Sequence, residues 1–244
     1  MLLVRLRRLL FTFVAFFSVV AYPAHAVKSF KVSANGGAHQ LWFEAEDFDS
    51  RDSANVYKIR KAEAGLDLAA GAFGDALTNA VGAALAGTAQ ETGSWVRYDF
   101  DISKAGGKAG TWYFWGRIIS PNNQSDWLWI KGEQGNTVPT KRFDAPDNAK
   151  HRILEETTTD WTWVGGVAKG EGHVRALLDG ANTMVIFWRQ SDNSDQWDTF
   201  VWTDSDAYKP TDADYASATS ATSTTAVDPQ GKTATFWGTL KSIR

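Results

Sequence analysis

The chain has 244 residues, 43% of them hydrophobic and 13% aromatic, with a formal net charge of −3. Twelve tryptophans and no cysteine mean that the fold rests on an aromatic core and not on disulfides. The acidic balance argues against a nucleic-acid binder or a basic membrane-surface protein.

The first residues read as a targeting segment. Arg5, Arg7 and Arg8 precede a mostly apolar run, Leu9 to Tyr22, and Ala24-His25-Ala26 supplies a small-x-small cleavage pattern. Residues 1–26 are therefore expected to be a secretory signal peptide, with Val27 opening a mature chain that is secreted, periplasmic or at the cell surface. The apolar run is short for a membrane span, and no later segment is apolar enough to cross a bilayer. Residues 27–40 read as a loose polar leader. Leu41 to Glu46 reads as a strand, and Asp47 to Val56 as an acidic, turn-rich stretch. Ala62 to Ala89 is rich in alanine, but Gly65, Gly71, Gly74, Gly82 and Gly87 interrupt any helix. It is expected to be mostly loop with short ordered pieces.

From Ser94 the period is two. Trp95, Arg97 and Asp99 alternate with Val96, Tyr98 and Phe100, which is a strand signature. Gly106-Gly107 ends it. Two aromatic and β-branched runs follow, Trp112 to Ile119 and Trp127 to Ile130, joined by the turn cluster Pro121 to Ser125. Residues 133–159 are charged and turn-rich. Short strands are expected at Trp161–Val164, His173–Leu178, Thr183–Trp188 and Trp197–Thr203. There is no heptad, no long amphipathic helix and no internal repeat. The pattern is that of an all-β protein, an antiparallel β-sandwich or jelly roll, over residues 41–210. Residues 211–232 hold the Ala/Ser/Thr run Ala216 to Ala226 and read as a flexible linker. Residues 233–244 include the apolar Thr233 to Leu240, expected to dock on the sandwich or on a protein partner.

Three pieces stand in a telling order: Phe43-Glu44-Ala45-Glu46 near the start, Gly110-Thr111-Trp112-Tyr113-Phe114-Trp115-Gly116-Arg117 in the middle, and Asp198-Thr199-Phe200-Val201-Trp202-Thr203-Asp204 near the end. Gly180-Ala181-Asn182 leads into the penultimate strand. The set resembles the galactose-binding-like β-sandwich of carbohydrate-binding modules of families 6 and 35, with Trp112 in the place of a tyrosine. The alanine-rich stretch 62–89 and the insertion 133–159 depart from that pattern. The resemblance implies a fold more firmly than a function.

Glu44 and Glu46 are two residues apart, so a strand points both side chains the same way. Two like charges on one face repel unless a cation lies between them, and oxygen ligands of this kind suit Ca²⁺. The resembled modules hold a structural calcium there and set the first strand beside the last. That likeness implies that Asp198 completes the site with Glu44 and Glu46.

Sugar recognition needs a flat apolar face and planar polar groups. Trp161 and Trp163 supply the first, while Asn122, Asn123, Gln124 and Asp126 supply the second. Asp192, in the acidic turn 191–195, is either a further hydroxyl partner or part of a plain solvated turn. At least one of Trp161 and Trp163 is expected to be buried. Arg117 either pairs with an acidic sugar or, in the reading preferred, bonds a carboxylate inside the sandwich. His39, His151 and His173 read as ordinary surface or turn histidines. No nucleophile motif, metalloprotease motif or singled-out pair of carboxylates is present. The expectation is a non-catalytic binder of a polysaccharide or oligosaccharide. A polysaccharide lyase or glycosidase on a jelly roll is the alternative, as is an adhesive surface protein without a sugar site.

Overall fold

The computed structural model describes residues 29–51, 57–79, 95–121, 126–137, 151–154, 156–187 and 195–222. The expected signal peptide and the segment 233–244 lie outside them. In chain order the strands begin with β1 (Ser29–Ser33), β2 (Gln40–Glu44), β3 (Ser50–Arg51), β4 (Tyr57–Ile59) and β5 (Leu77–Asn79). Next come β6 (Trp95–Asp101), β7 (Gly110–Ile119), β8 (Asp126–Ile130) and β9 (Arg152–Ile153). The series ends with β10 (Thr162–Gly165), β11 (Val174–Leu177), β12 (Ala181–Phe187) and β13 (Gln196–Thr203), then a short helix α1 (Asp212–Ser217) and β14 (Thr219–Thr222).

Among the described residues these strands make two antiparallel sheets, so the all-β sandwich read from the sequence is the fold. One sheet has nine strands and runs β10-β7-β13-β2-β1-β14, with β11 also on β7 and the β4–β5 pair on β13. The other has five and runs β3-β6-β12-β8-β9. Period two explains the layering. Along β6, Val96, Tyr98 and Phe100 are buried while Trp95, Arg97, Asp99 and Asp101 are half-buried. The inner faces meet in one core that includes Leu41, Phe43, Tyr98, Phe114, Phe200 and Trp202. Phe43 lies 6.0 Å from Phe200, and Phe114 lies 5.0 Å from Trp202. Each such side chain stabilises the fold by about 1.5–3 kcal/mol through the apolar area it removes from water.

The outer face of the nine-stranded sheet is covered as well. Trp42, Val201 and Trp115 stand in register across β2, β13 and β7, and they form a second buried cluster with Tyr215 of α1. The C-terminal segment therefore adds a third layer over part of the sandwich.

Three expectations need correction. The expected leader, 27–40, carries β1, paired to β2 on one side and β14 on the other. The expected linker, 211–232, begins with a capped helix and a strand. Thr211 and Asp214 form a capping box, each side chain bonding the other's backbone N–H, a device worth about 1 kcal/mol. His173 is not a surface residue: it is 1% exposed, and its Nε2 accepts the Leu154 backbone N–H at 3.1 Å. Burial, together with Arg175 and Lys169 nearby, lowers its pKa to about 3, so it is neutral at ordinary pH.

Candidate functional site

Strand ends from both sheets gather at one end of the sandwich. Ile119 at the close of β7 pairs with Gln196 at the start of β13, and Phe187 at the close of β12 pairs with Trp127 near the start of β8. Thr162, opening β10, pairs with Ile118. Asn122, Asn123, Gln124 and Asp192 belong to the two connections that leave these ends, and they lie outside the described residues. The loop 66–76 joins the same rim, with the Ala69 N–H donating to Gln196 Oε1 at 3.1 Å.

Arg117 is the anchor of this rim. It is 3% exposed, on the outer side of β7 opposite Thr199 and Trp163. The β7–β13 register slips between Trp197 and Thr199, so Asp198 is the extra residue of a bulge. A bulge re-aims a side chain and strengthens local twist. Here it brings the Asp198 carboxylate to Arg117 Nη1 at 2.5 Å, while the Asp198 carbonyl takes the Ala45 N–H at 2.8 Å. Arg117 Nη1 also donates to the Gly71 carbonyl at 2.9 Å, and Nε and Nη2 grip Asp212 at 2.9 and 2.7 Å. The guanidinium lies 4.1 Å from the Phe73 ring centroid and 5.2 Å from that of Trp161. Bidentate pairing plus ring stacking suits arginine and not lysine. Burial opposes it, yet hydrogen bonds from Arg117 and Trp163 hold Asp212 below the usual carboxylate range. Arg117 is thus a carboxylate-bonded arginine, as the sequence favoured, but it is buried on the outer face of the nine-stranded sheet beneath α1 and not inside the sandwich.

Beside Arg117 lies an acidic pair with the opposite character. Glu44 faces Thr199 in the β2–β13 ladder and accepts its hydroxyl at 2.9 Å. Glu46 Oε1 accepts the Asp75 N–H at 2.7 Å, and its other oxygen, Oε2, is buried without a hydrogen-bond partner. The Glu46 carboxylate lies close against Gly74, where a Cβ would stand 2.5 Å from Oε1. Burial first, with Asp198 and Asp47 adding repulsion, pushes Glu44 up to about 7. Burial, then Glu44 and Asp198, pushes Glu46 up to about 8. A buried, unpartnered carboxylate oxygen next to a second carboxyl suits a bound cation. Asp198 fits that role less well. Its Oδ2 is committed to Arg117 and its Oδ1 to the Phe73 N–H at 3.0 Å. Among the described residues, no three acidic or histidine side chains are grouped to hold a metal.

The tryptophans are placed differently from expectation, since neither is fully buried. Trp161 is half-buried, and its Nε1 donates to the Ala70 carbonyl at 3.1 Å. Trp163 is also half-buried. Its ring meets the edge of Trp42 at 5.6 Å, and its Nε1 donates to Asp212 at 2.9 Å. Asp126, expected at the sugar surface, is 2% exposed at the start of β8 opposite Ile153, and it presents no carboxylate to solvent. The sequence reading missed Phe73, Asp212 and Tyr215. The capping pattern Thr211-x-x-Asp214 marks the start of α1 and is the signal that finds the last two.

No protein-family model and no curated protein matches this sequence. Solved structures do. A family 35 carbohydrate-binding module from Clostridium thermocellum aligns at 14% identity and TM-score 0.39, over 67% of this chain and 96% of that one. A β-(1,4)-mannanase with a family 35 module from Podospora anserina aligns at 14% identity and TM-score 0.40, over 70% of this chain and 28% of that one. An exo-β-1,3-galactanase from Phanerochaete chrysosporium, solved with β-1,3-galactotriose, aligns at 13% identity and TM-score 0.33, over 66% of this chain and 28% of that one. These likenesses fix no family, and the saccharides named belong to those proteins.

Proposed function

We propose that this chain is a secreted, non-catalytic carbohydrate-binding protein that uses the rim around Trp161 and Trp163. The observation that carries the reading is Trp161. Its indole is half-buried, tied at Nε1 to the Ala70 carbonyl and backed by the Arg117 guanidinium. An aromatic ring held in place yet open to solvent is what stacking on a pyranose C–H face requires. Asn122, Asn123 and Asp192 are the hydroxyl partners in this proposal, carried by connections whose flanking strands end at the same rim. Binding at a shallow polar rim is weak per site, because hydrogen bonds to hydroxyls gain little over water.

Calcium belongs to the same proposal, held by Glu44 and Glu46. The unpartnered Glu46 Oε2 and the raised pKa of both carboxyls support it. Asp198, placed in the ligand set by the sequence, acts instead as the counter-ion of Arg117. When bound, the ion supplies positive charge that relieves the repulsion between the two glutamates. The enzyme and adhesin alternatives are separated by one assay. The purified protein is incubated with insoluble mannan, galactan, xylan and cellulose, and depletion from solution is measured beside new reducing ends and unsaturated products. Retention on one polysaccharide without products is expected. Products would make it an enzyme, and no retention on any glycan would remove the binding role.

A further inference from the structure

We infer that the segment Thr211–Thr222 is a positioning strap: it builds the rim from the far end of the chain, with Asp212 fixing Trp163 and Arg117 and Tyr215 clamping Phe73. The inference deepens the carbohydrate-binding reading and rests on it for its consequence and for the affinity arm of its test, though not for the indole arm.

The argument starts with Asp212. One oxygen receives both Arg117 Nε and Trp163 Nε1 at 2.9 Å, and the other receives Arg117 Nη2 at 2.7 Å. Its side chain is 55% exposed, while that of Arg117 is 4% exposed. The strap thus reaches in from the surface to satisfy a buried guanidinium. Without Asp212, Trp163 Nε1 loses its bond, and Arg117 keeps Asp198 and the Gly71 carbonyl as hydrogen-bond partners beside the Phe73 and Trp161 rings.

Tyr215 supplies the second hold. Its ring stacks on Phe73 at 4.2 Å and 23°, and it meets Trp42 edge-on at 5.8 Å. Lys31 Nζ sits 3.6 Å from its ring centroid on the side of β1. Phe73 in turn carries Arg117 on its ring and gives its N–H to Asp198. The loop that holds Trp161 through the Ala70 carbonyl is therefore pinned by a residue about 140 positions later in the chain.

The strap's own geometry is preset. The capping box of Thr211 and Asp214 starts α1, Tyr208 donates its hydroxyl to Asp214 at 3.0 Å, and β14 closes on β1 from Ser29↔Thr222 to Val32↔Thr219. A side chain held before the ligand arrives costs less to order on binding.

The test compares the full chain with Asp212→Ala and Tyr215→Ala. Indole N–H resonances are recorded by ¹H–¹⁵N spectroscopy, with Trp161→Phe and Trp163→Phe for assignment, and acrylamide quenching is measured alongside. Asp212→Ala is expected to shift the Trp163 indole resonance and raise quenching. Tyr215→Ala is expected to shift that of Trp161. Affinity for whichever polysaccharide retains the wild type is expected to fall on the order of fivefold for each. Unmoved indole resonances in both variants would overturn the inference, as would unchanged affinity beside moved resonances. The indole readout needs no saccharide. A wild type that binds none, with indoles that move as expected, sinks the carbohydrate reading and leaves the strap standing.

Discussion

Asp198 and Glu46 lie close together under the same loop, and their surroundings could hardly differ more. Asp198 is re-aimed by a bulge onto Arg117, which also holds Asp212, so its charge is answered within the chain. Glu46 has one oxygen on a backbone N–H, one on nothing, and Glu44 as its neighbour. The contrast separates structure from function. A carboxylate whose oxygens are all spoken for is part of the scaffold. Two carboxyls pushed together with an oxygen left over call for a ligand from outside.

The largest effect expected from breaking this contrast comes from Arg117→Met. It leaves Asp198 buried without its partner and removes the Asp212 latch, costing about 3–5 kcal/mol in urea unfolding. An effect below 1 kcal/mol would show that the guanidinium is dispensable.

Next in size is the pH response, which comes from two places with opposite signs. His173 has its folded pKa lowered to about 3 from the ordinary imidazole value of 6.5, chiefly by burial. Its contribution to stability is present above the unfolded value and is lost as pH falls from there toward 3. Glu44 and Glu46 are raised to about 7 and about 8 from 4.5. Their contribution is present below the unfolded value and is lost as pH rises through 7 and 8. The two windows overlap between pH 4.5 and 6.5, where two glutamates outweigh one histidine, so thermal melts in chelator should be highest near the glutamates' unfolded value of 4.5, with a fall of several degrees on each side. Added calcium should abolish the alkaline fall and leave the acid fall untouched. A melting temperature at pH 8 that ignores both calcium and chelator would end the cation proposal.

Glu46→Gln sharpens the same point. In chelator at pH 8 it should raise the melting temperature by about 2–4 °C, because a neutral amide replaces a charge pushed against Glu44. With calcium present it should give no such gain. The smallest structural effect belongs to Trp161→Ala. It should weaken saccharide retention roughly fivefold to tenfold while moving the melting temperature by no more than about 2 °C. A loss of fold instead would assign Trp161 to the core.

The central strands were legible because their information is local. The alternation in Trp95 to Phe100 and the aromatic runs of β7 and β8 announce pleated, buried segments without reference to the rest of the chain. The likeness of ends, glutamates to Asp198, was also legible and places β2 beside β13. β1 and β14 were not. Ser29–Ser33 alternates only Phe30 and Val32 with polar residues, too short a run to stand out, and Thr219–Thr222 is polar but for Ala221, so their pairing with each other and of β1 with β2 becomes visible only in the fold. α1 is six residues long, too short for a helical period to show. The pairing of Asp198 with Arg117 is hidden in the bulge. A one-residue slip between Trp197 and Thr199 sends its carboxylate to Arg117, and spacing alone does not reveal such a slip. Asp126 was misplaced because a polar residue beside a turn looks exposed until the opposing β9 is known.

The pairing of β1 with β14 has a consequence for how the protein comes into being. The outer strand of the nine-stranded sheet is made from the earliest and latest parts of the body, Ser29 and Thr222 being register partners. A chain emerging from its amino end can assemble its middle hairpins at once. It has to leave this seam open until Thr219–Thr222 arrives, so closing it is a long-range and therefore slow event.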